Sequence, residues 1–275
     1  MSTELKGISI ITIVKNGIDF IEETILSVIH QKGVEIEYII IDGNSEDGTK
    51  GVIKKYNKRI SHFISESDGG IYQAINKGIS LATMPIIGLI HSGDCYLPGA
   101  LNKVINSYNK YGSGIYYGDI IIREIVDHTL LSTLHSANFS EILKRMSIFH
   151  PSTFIARDYY IQHGLYDTHF KSASDYDLLL KFYYLGLKFR YVEGPLAIFS
   201  AGGISSSNFK LSRKENFKIR LKYQGSTSAI KYYVSRSFSH YLTSLRNYIF
   251  IFLFGIKMFN KLKIRKYSKK LLPNG

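Results

Sequence analysis

The sequence predicts an α/β protein: a mixed, mainly parallel sheet flanked by helices, with a basic helical extension at its C-terminal end. Three observations predict it. Apolar, β-branched runs alternate with amphipathic segments through the first hundred residues, the pattern of right-handed βαβ units. The first run, "ISIITIV" at 8–14, is continuous rather than alternating, as expected of a strand buried on both faces. Charge is also divided sharply along the chain: residues 1–208 hold 19 Lys/Arg and 21 Asp/Glu, whereas residues 209–275 hold 16 Lys/Arg and one acid, Glu215.

The elements follow in order. "FIEETILSVIHQ" (20–31) places Ile21, Ile25, Val28 and Ile29 at helical spacing, with acids near its start where the helix dipole favours them. "EYIIIDGNSEDGT" (37–49) is a short apolar strand ending in an acid-rich turn, and the stretch 50–60 is basic and helix-like. "HFISES" (62–67) reads as a third strand, "GIYQAINKGISLA" (70–82) as a helix, and "PIIGLIHSGD" (85–94) as a return to strand. Beyond this the pattern loosens. "GIYYGDIII" (114–122) is a strand candidate, and "SDYDLLLKFYYLG" (174–186) is a helix, with Ser174 as a possible cap and Gly186 as its stop.

Composition narrows the class. At 275 residues the chain fits one large domain with an appendage, or two small domains, and 45% apolar with 21% charged residues is ordinary for a globular protein. Its single cysteine, Cys95, excludes an intramolecular disulfide and suits a reducing compartment. "MSTELKG" lacks a basic region followed by an apolar core, so no secretory signal is expected there.

Three acids stand where strands end: Asp42 after "YIII", Asp68 in "SESDGGIY" and Asp94 closing "LIHSGD". Ligands of open parallel sheets bind beyond the carboxyl ends of the strands, so three turns can offer carboxylates to one crevice. Each acid alone also reads as an ordinary turn or capping residue. The turn after the first strand, "VKNGIDF", has no GxGxxG, and GxxxxGK[ST] is missing too. A glycine cradle for phosphate is therefore not expected, which also speaks against an NAD-dependent oxidoreductase. Carboxylate plus Mg²⁺ or Mn²⁺ is the other way to hold a diphosphate.

The order "IITIVKN", "QKGVEIEYIIIDGNSEDGT", "SESDGGIYQAINKGISLA", "LIHSGD" resembles the family 2 glycosyltransferases of the GT-A fold. It looks most like the bacterial branch that builds surface polysaccharides such as O-antigen and capsule. The resemblance implies that Asp42 contacts the nucleobase, that Asp68, Asn76 and Lys77 lie at the nucleotide, and that Asp94 holds the metal and diphosphate. Many members have Asp where this chain has Gly93, so the motif is reduced to one acid. A weaker resemblance runs to about residue 205. There "FHPSTF" supplies an acceptor-side His150, and Asp175 maps to the general base, with Ser174 where the family has Glu. Asp177 is the second candidate on that side. A carboxylate at a helix N-terminus is a weakened base unless burial offsets the dipole. "SAGGISSS" (200–207) resembles the glycine loop that closes such sites.

The resemblance implies an inverting, metal-dependent transferase taking a nucleotide-sugar, most simply a UDP-sugar, to a polyprenyl-diphosphate-linked glycan. The expected domains are 1–208, the transferase, and 209–275, a membrane-associating extension. In the extension, Lys/Arg are massed with aromatics around "YIFIFLFGI", and no nucleic-acid-binding motif occurs. The longest charge-free apolar run, Tyr248–Ile256, falls short of the ~20 residues of a span. The expected state is therefore cytoplasmic and peripheral, on an anionic inner membrane face of a bacterial cell. Other readings of the same residues are a non-catalytic nucleotide-sugar or glycan-binding module, a nucleic-acid-binding tail, or packing of the tail on the body or on a second subunit.

Overall fold

The computed structural model describes Leu5, residues 7–201 and residues 209–268. Four parallel strands build one side of the sheet. β1 (Gly7–Val14) lies between β2 (Glu35–Asp42) and β4 (Ile86–His91), and β3 (His62–Ser65) adds outside β2. Ile8, Ile10, Ile11, Ile39, Ile40 and Ile41 are completely covered, because helices occupy both faces. The helices are α1 (Ile21–Ile29), α2 (Thr49–Lys54), α3 (Ile71–Leu81) and α4 (Ala100–Tyr111).

α1 buries Ile21, Ile25 and Val28, one face at helical period, and keeps Glu22 and Glu23 in its first turn. α3 lies close on β1 because Gly78 has no side chain. A Cβ there would sit 2.5 Å from Cγ2 of Ile11. The glycine of "INKG" thus sets the approach of the helix that follows Asp68.

Beyond β4 the sheet changes sense. β8 (Thr153–Ala156) runs antiparallel to β4, and β6 (Ile115–Val126) runs antiparallel to β8. β9 (Phe189–Ser200) comes next, and the two-residue β5 (Cys95–Tyr96) pairs antiparallel with it. β7 (Thr129–His135) pairs with β6 off this path. α5 (Arg157–His163) and α6 (Ser174–Tyr184) complete this half.

By its contacts the chain forms two compact units. One spans Met1–Ile121 and His135–Phe199; the other spans Ile122–Leu134 and Ser200–Gly275. In this division the tip of the β6–β7 hairpin goes with the C-terminal helix. Lys263 Nζ meets Glu124 Oε1 at 2.7 Å, and Ala201 N donates to Arg123 O. Partners so far apart in sequence leave no local signal.

The second unit is dominated by α7 (Phe209–Ser268), whose backbone leaves helical values at Gly225 (φ 81°, ψ 173°) and Gly255 (φ 77°, ψ 160°). The stretches on either side of Gly225 pack on each other. Phe217 meets Tyr233, and the Arg213 and Arg220 guanidiniums lie over Tyr233 and Tyr232. Further along, Val234, Phe238, Tyr241, Leu245, Tyr248 and Phe252 recur every three or four residues, and all are exposed. The sequence-level expectation that nothing here is long enough to span a bilayer needs correcting. Lys210–Arg265 is long and apolar enough to cross a membrane by length and composition, with none of its most apolar stretch buried. A charge-free run is too strict a measure, because a span tolerates an isolated Lys or Arg near its ends. The glycine loop expected at 200–207 lies almost wholly outside the described residues.

Candidate active site

Strand register creates the site. Val14 lies opposite Asp42, Ile13 opposite His91, and Asp42 opposite Ser65. Four neighbouring strands therefore stop almost level, and Asp68 and Asp94 each follow three residues after their strand. With strands ~4.8 Å apart, the ends of β2 and β4 are separated by about 10 Å and those of β3 and β4 by about 14 Å. Asp42, Asp68 and Asp94 occupy one edge of the sheet.

Asp42 is fully buried. Its Oδ2 accepts from Ser45 N (3.0 Å) and Ser65 Oγ (2.6 Å), and its Oδ1 accepts from Ser45 Oγ. The turn around it is stitched to the end of β1. Ser45 Oγ accepts Asn16 N (2.7 Å), Thr49 Oγ1 accepts Gly17 N (2.9 Å), and Asn16 Oδ1 accepts Glu46 N (3.0 Å). Asn16 itself adopts φ 50°, the left-handed region that Asn tolerates better than most residues. The carboxylate is thus held rigidly, with its donors already in place.

Asp68 is paired with Lys77, whose Nζ lies 2.9 Å from Asp68 Oδ1 and also contacts Glu66. The bond to Glu66, then that to Asp68, holds the lysine above its usual range. Lys77 is therefore a counter-charge at this end of the edge. Asn76 is placed differently. Its Nδ2 donates to Tyr166 O (2.8 Å) and its Oδ1 accepts Tyr166 N (3.1 Å), so the amide clamps the backbone before α6.

Asp94 is 4% exposed, in a turn held by Thr24 of α1. The Thr24 hydroxyl accepts Gly93 N (3.0 Å) and donates to Asp94 O (2.8 Å). Gly93 has φ +99°, a backbone that strongly favours glycine, which accounts for the missing second acid at this position.

His150, expected from the sequence on the acceptor side, stands beside Asp94. Its Nε2 is 3.8 Å from Asp94 Oδ2, and its ring packs on His91 with centroids 4.6 Å apart. The cause is the antiparallel pairing of β8 with β4, Ile86 opposite Ala156 and Gly88 opposite Phe154. Each step toward the end of β4 is a step back along the partner strand, so the 3-10 turn His150–Ser152 that precedes β8 comes beside the end of β4. The His150 side chain keeps 23% exposure, yet its Nε2 is buried without a hydrogen-bond partner. Burial pushes His91 down to about 4, and burial followed by the His91 charge pushes His150 well below the usual histidine range. Both rings are neutral at pH 7, each with one nitrogen lone pair. Among the described residues no three His, Cys, Asp or Glu side chains form a ready metal cage. A carboxylate oxygen facing a bare imidazole nitrogen nevertheless fits a divalent ion whose other ligands are phosphate and water.

Asp175 is the second residue of α6, and its Oδ1 accepts Tyr176 N (2.9 Å). It joins the edge through Tyr72, in the first turn of α3. Tyr72 stacks on Tyr166 at 5.8 Å, and its hydroxyl faces the backbone at Ser174 and Asp175. Burial, then the Asp175 charge, drives the Tyr72 hydroxyl far above its usual range, so it stays protonated. Asp175 retains some exposure, whereas Asp177 is 4% exposed. Sequence reasoning missed Ser45, Ser65, Thr24 and Tyr72. Only Ser45 had a local signal, three residues after Asp42 in an acid-rich turn.

The model of "Glycosyl transferase family 2" matches residues 9–170. An uncharacterized glycosyltransferase of Rickettsia typhi is 29% identical over 189 residues, covering 64% of this chain and 58% of that protein. A PGL/p-HBAD biosynthesis glycosyltransferase of Mycobacterium bovis is 24% identical over 188 residues, covering 66% of this chain and 72% of that one. Among solved structures, S. aureus TarS 1-349 in complex with UDP-GlcNAc superposes with a TM-score of 0.64 at 16% identity, covering 85% of this chain and 73% of that one. The mannosyltransferase PcManGT of Pyrobaculum calidifontis, with GDP-Man and Mn²⁺, gives 0.60 at 16% identity, covering 78% and 63%. The chain thus spans a little over half of the Rickettsia relative, and its sheet and flanking helices are GT-A-like. With the family model covering more than half of its length, the chain belongs to glycosyl transferase family 2.

Proposed function

We propose that the chain transfers a sugar, with inversion, from a nucleotide donor to a lipid-linked oligosaccharide during assembly of a bacterial surface polysaccharide. One observation carries this: strand register brings Asp42, Asp68 and Asp94 to a single edge, with Asp175 tied to the same edge through Tyr72. A UDP-sugar is the favoured donor, because TarS binds UDP-GlcNAc and UDP in the same fold. Residues 1–208 act as the transferase and 209–275 as the membrane-associating extension.

Each residue has a stated duty. Asp42, held by Ser45 and Ser65, accepts a hydrogen bond from the base, and its preset geometry favours one base edge over others. Asp68, paired with Lys77, lies along the nucleotide, while the lysine balances the charge of neighbouring acids. Asp94 holds a divalent ion, Mn²⁺ or Mg²⁺, which supplies charge neutralisation to the departing diphosphate. Asp175 takes the proton of the acceptor hydroxyl as its oxygen attacks the anomeric carbon from the face opposite the diphosphate. Tyr72 keeps the start of α6 in position. Asn76 acts on this side only by fixing the Tyr166 backbone, and the buried Asp177 shapes the acceptor wall.

The extension supports attachment to an anionic membrane. Its exposed aromatic and aliphatic stripe is interspersed with Lys and Arg, and each basic residue near such a surface contributes about 1 kcal/mol. Gly255 interrupts the helix within its most apolar stretch, which favours a helix lying at the cytoplasmic interface over one crossing the bilayer.

The test is nucleotide release from a panel of nucleotide-sugars with Mn²⁺, read by mass spectrometry, on the full chain with lipid-linked acceptors. Turnover of one donor is the expected result. Asp94→Asn and Asp175→Asn should each lower it by a factor on the order of a hundred or more. Full activity of either variant removes that residue from its role. Tight nucleotide binding with no turnover on any acceptor selects a binding module instead.

A further inference from the structure

Asp94 is a single acid, the smaller number of the one or two carboxylates that usually hold a divalent ion beside substrate phosphates. Gly93, at φ +99°, is not replaced by a second carboxylate from its own turn. A replacement comes from across the sheet. His150 Nε2 is buried, lacks a hydrogen-bond partner and lies 3.8 Å from Asp94 Oδ2. Two ligands each about 2.1 Å from one ion stand at most about 4.2 Å apart, so this separation falls within the span that one ion bridges.

The surroundings point the same way. An unpartnered imidazole nitrogen in a buried position is costly unless something occupies it. His91 packs against His150 at a tilt of 37° and Phe199 meets it edge-on at 6.1 Å, so the ring is held between two aromatic neighbours. The pairing of β8 with β4 fixes the backbone from which His150 projects. A ligand oriented by packing is what a metal site needs.

We propose that His150 Nε2 is a direct ligand of the divalent ion, completing with Asp94 Oδ2 a two-residue protein site, and that this nitrogen biases the site toward Mn²⁺ over Mg²⁺. The second part follows from ligand chemistry: imidazole suits transition-metal ions, whereas Mg²⁺ prefers oxygen. The proposal rests on the reading of Asp94 as the metal-holding acid, and it assigns His150 to the donor side of the reaction rather than to the acceptor.

The test is pulsed EPR of the full chain with UDP and Mn²⁺, with titrations of Mn²⁺ and competition by Mg²⁺. The wild type should show the ¹⁴N modulation of a directly bound imidazole. His150→Gln should abolish that modulation, weaken Mn²⁺ on the order of tenfold, and weaken Mg²⁺ less. His91→Gln should keep the modulation, and thermal melting of each variant establishes that it is folded. Retention of Mn²⁺ by the wild type without ¹⁴N modulation overturns the role of His150 and leaves Asp94 standing. Modulation persisting in His150→Gln also overturns it, since another nitrogen is then the ligand. If the wild type with UDP retains no Mn²⁺, and Asp94→Asn behaves identically, the metal reading beneath the proposal fails along with it.

Discussion

The edge formed by β1–β4 and the exposed run of α7 are built from similar apolar residues and meet opposite fates. Ile10, Ile40 and Ile41 are completely covered, while Phe252 is 78% and Tyr248 70% exposed. In this half of the sheet polar groups are paired as thoroughly as apolar ones are covered: at one end Asp42 accepts three hydrogen bonds, and toward the other Glu37 is held by Ser9 and Thr83. Along α7 the apolar stripe has no cover among the described residues. The first region satisfies its polar groups within its own strands and turns; the second leaves an apolar stripe open among the described residues.

The sharpest way to break this contrast is to cut the buried side. Ile40→Ala removes a fully covered side chain between β1 and β3, and about 2–5 kcal/mol of stability should be lost in denaturant melts. A loss below 1 kcal/mol would mean that the sheet is less tightly packed than described.

Ser45→Ala comes next. It leaves the buried Asp42 without one hydroxyl donor and Asn16 N without its acceptor, so about 1–3 kcal/mol should go. Nucleotide affinity should fall more than the melting temperature suggests, because the carboxylate loses its preset position. Calorimetric titration with UDP reads this, and unchanged affinity would separate Asp42 from the base.

Glu37 gives a smaller effect with a definite sign. Burial raises its pKa, but hydrogen bonds from Ser9, Thr83 and the Met84 backbone outweigh this and hold the carboxyl below its usual range. Its contribution to stability is therefore present above the unfolded carboxylate pKa and lost as pH falls through the folded one. Glu37→Gln should flatten the acid side of the stability–pH curve while leaving turnover kinetics unaltered; a curve as steep as wild type would refute that role.

The smallest change in stability belongs to α7. Phe252→Ser with Leu253→Ser should leave the melting temperature within about 1 °C, because surface substitutions shift stability little. Flotation with anionic liposomes should nevertheless drop severalfold. If flotation is unchanged while the oligomeric state shifts, the stripe serves a second copy of this chain instead.

The same contrast explains how much was legible in the sequence. The parallel half follows from local patterns, since a buried strand, its turn acid and the next helix lie within some thirty residues of one another. That Asp42, Asp68 and Asp94 share one edge was therefore legible from their strand-end positions, while their proposed duties come from the resemblance. That His150 stands beside Asp94 had no local signal, because it depends on an antiparallel register between β4 and β8, more than sixty residues apart. Tyr72 had no signal in the sequence, because its hydroxyl faces the start of α6, a hundred residues away. The grouping of residues 122–134 with α7 rests on Glu124 and Lys263, 139 positions apart, which no local pattern reveals.

The most direct test of the convergence of three carboxylates on one nucleotide site is a crystal structure of the full chain with UDP and Mn²⁺. The base should lie against Asp42, the ribose and diphosphate should run along the edge past Asp68, and the ion should sit on Asp94. A nucleotide bound elsewhere, with these three side chains untouched, would contradict the account.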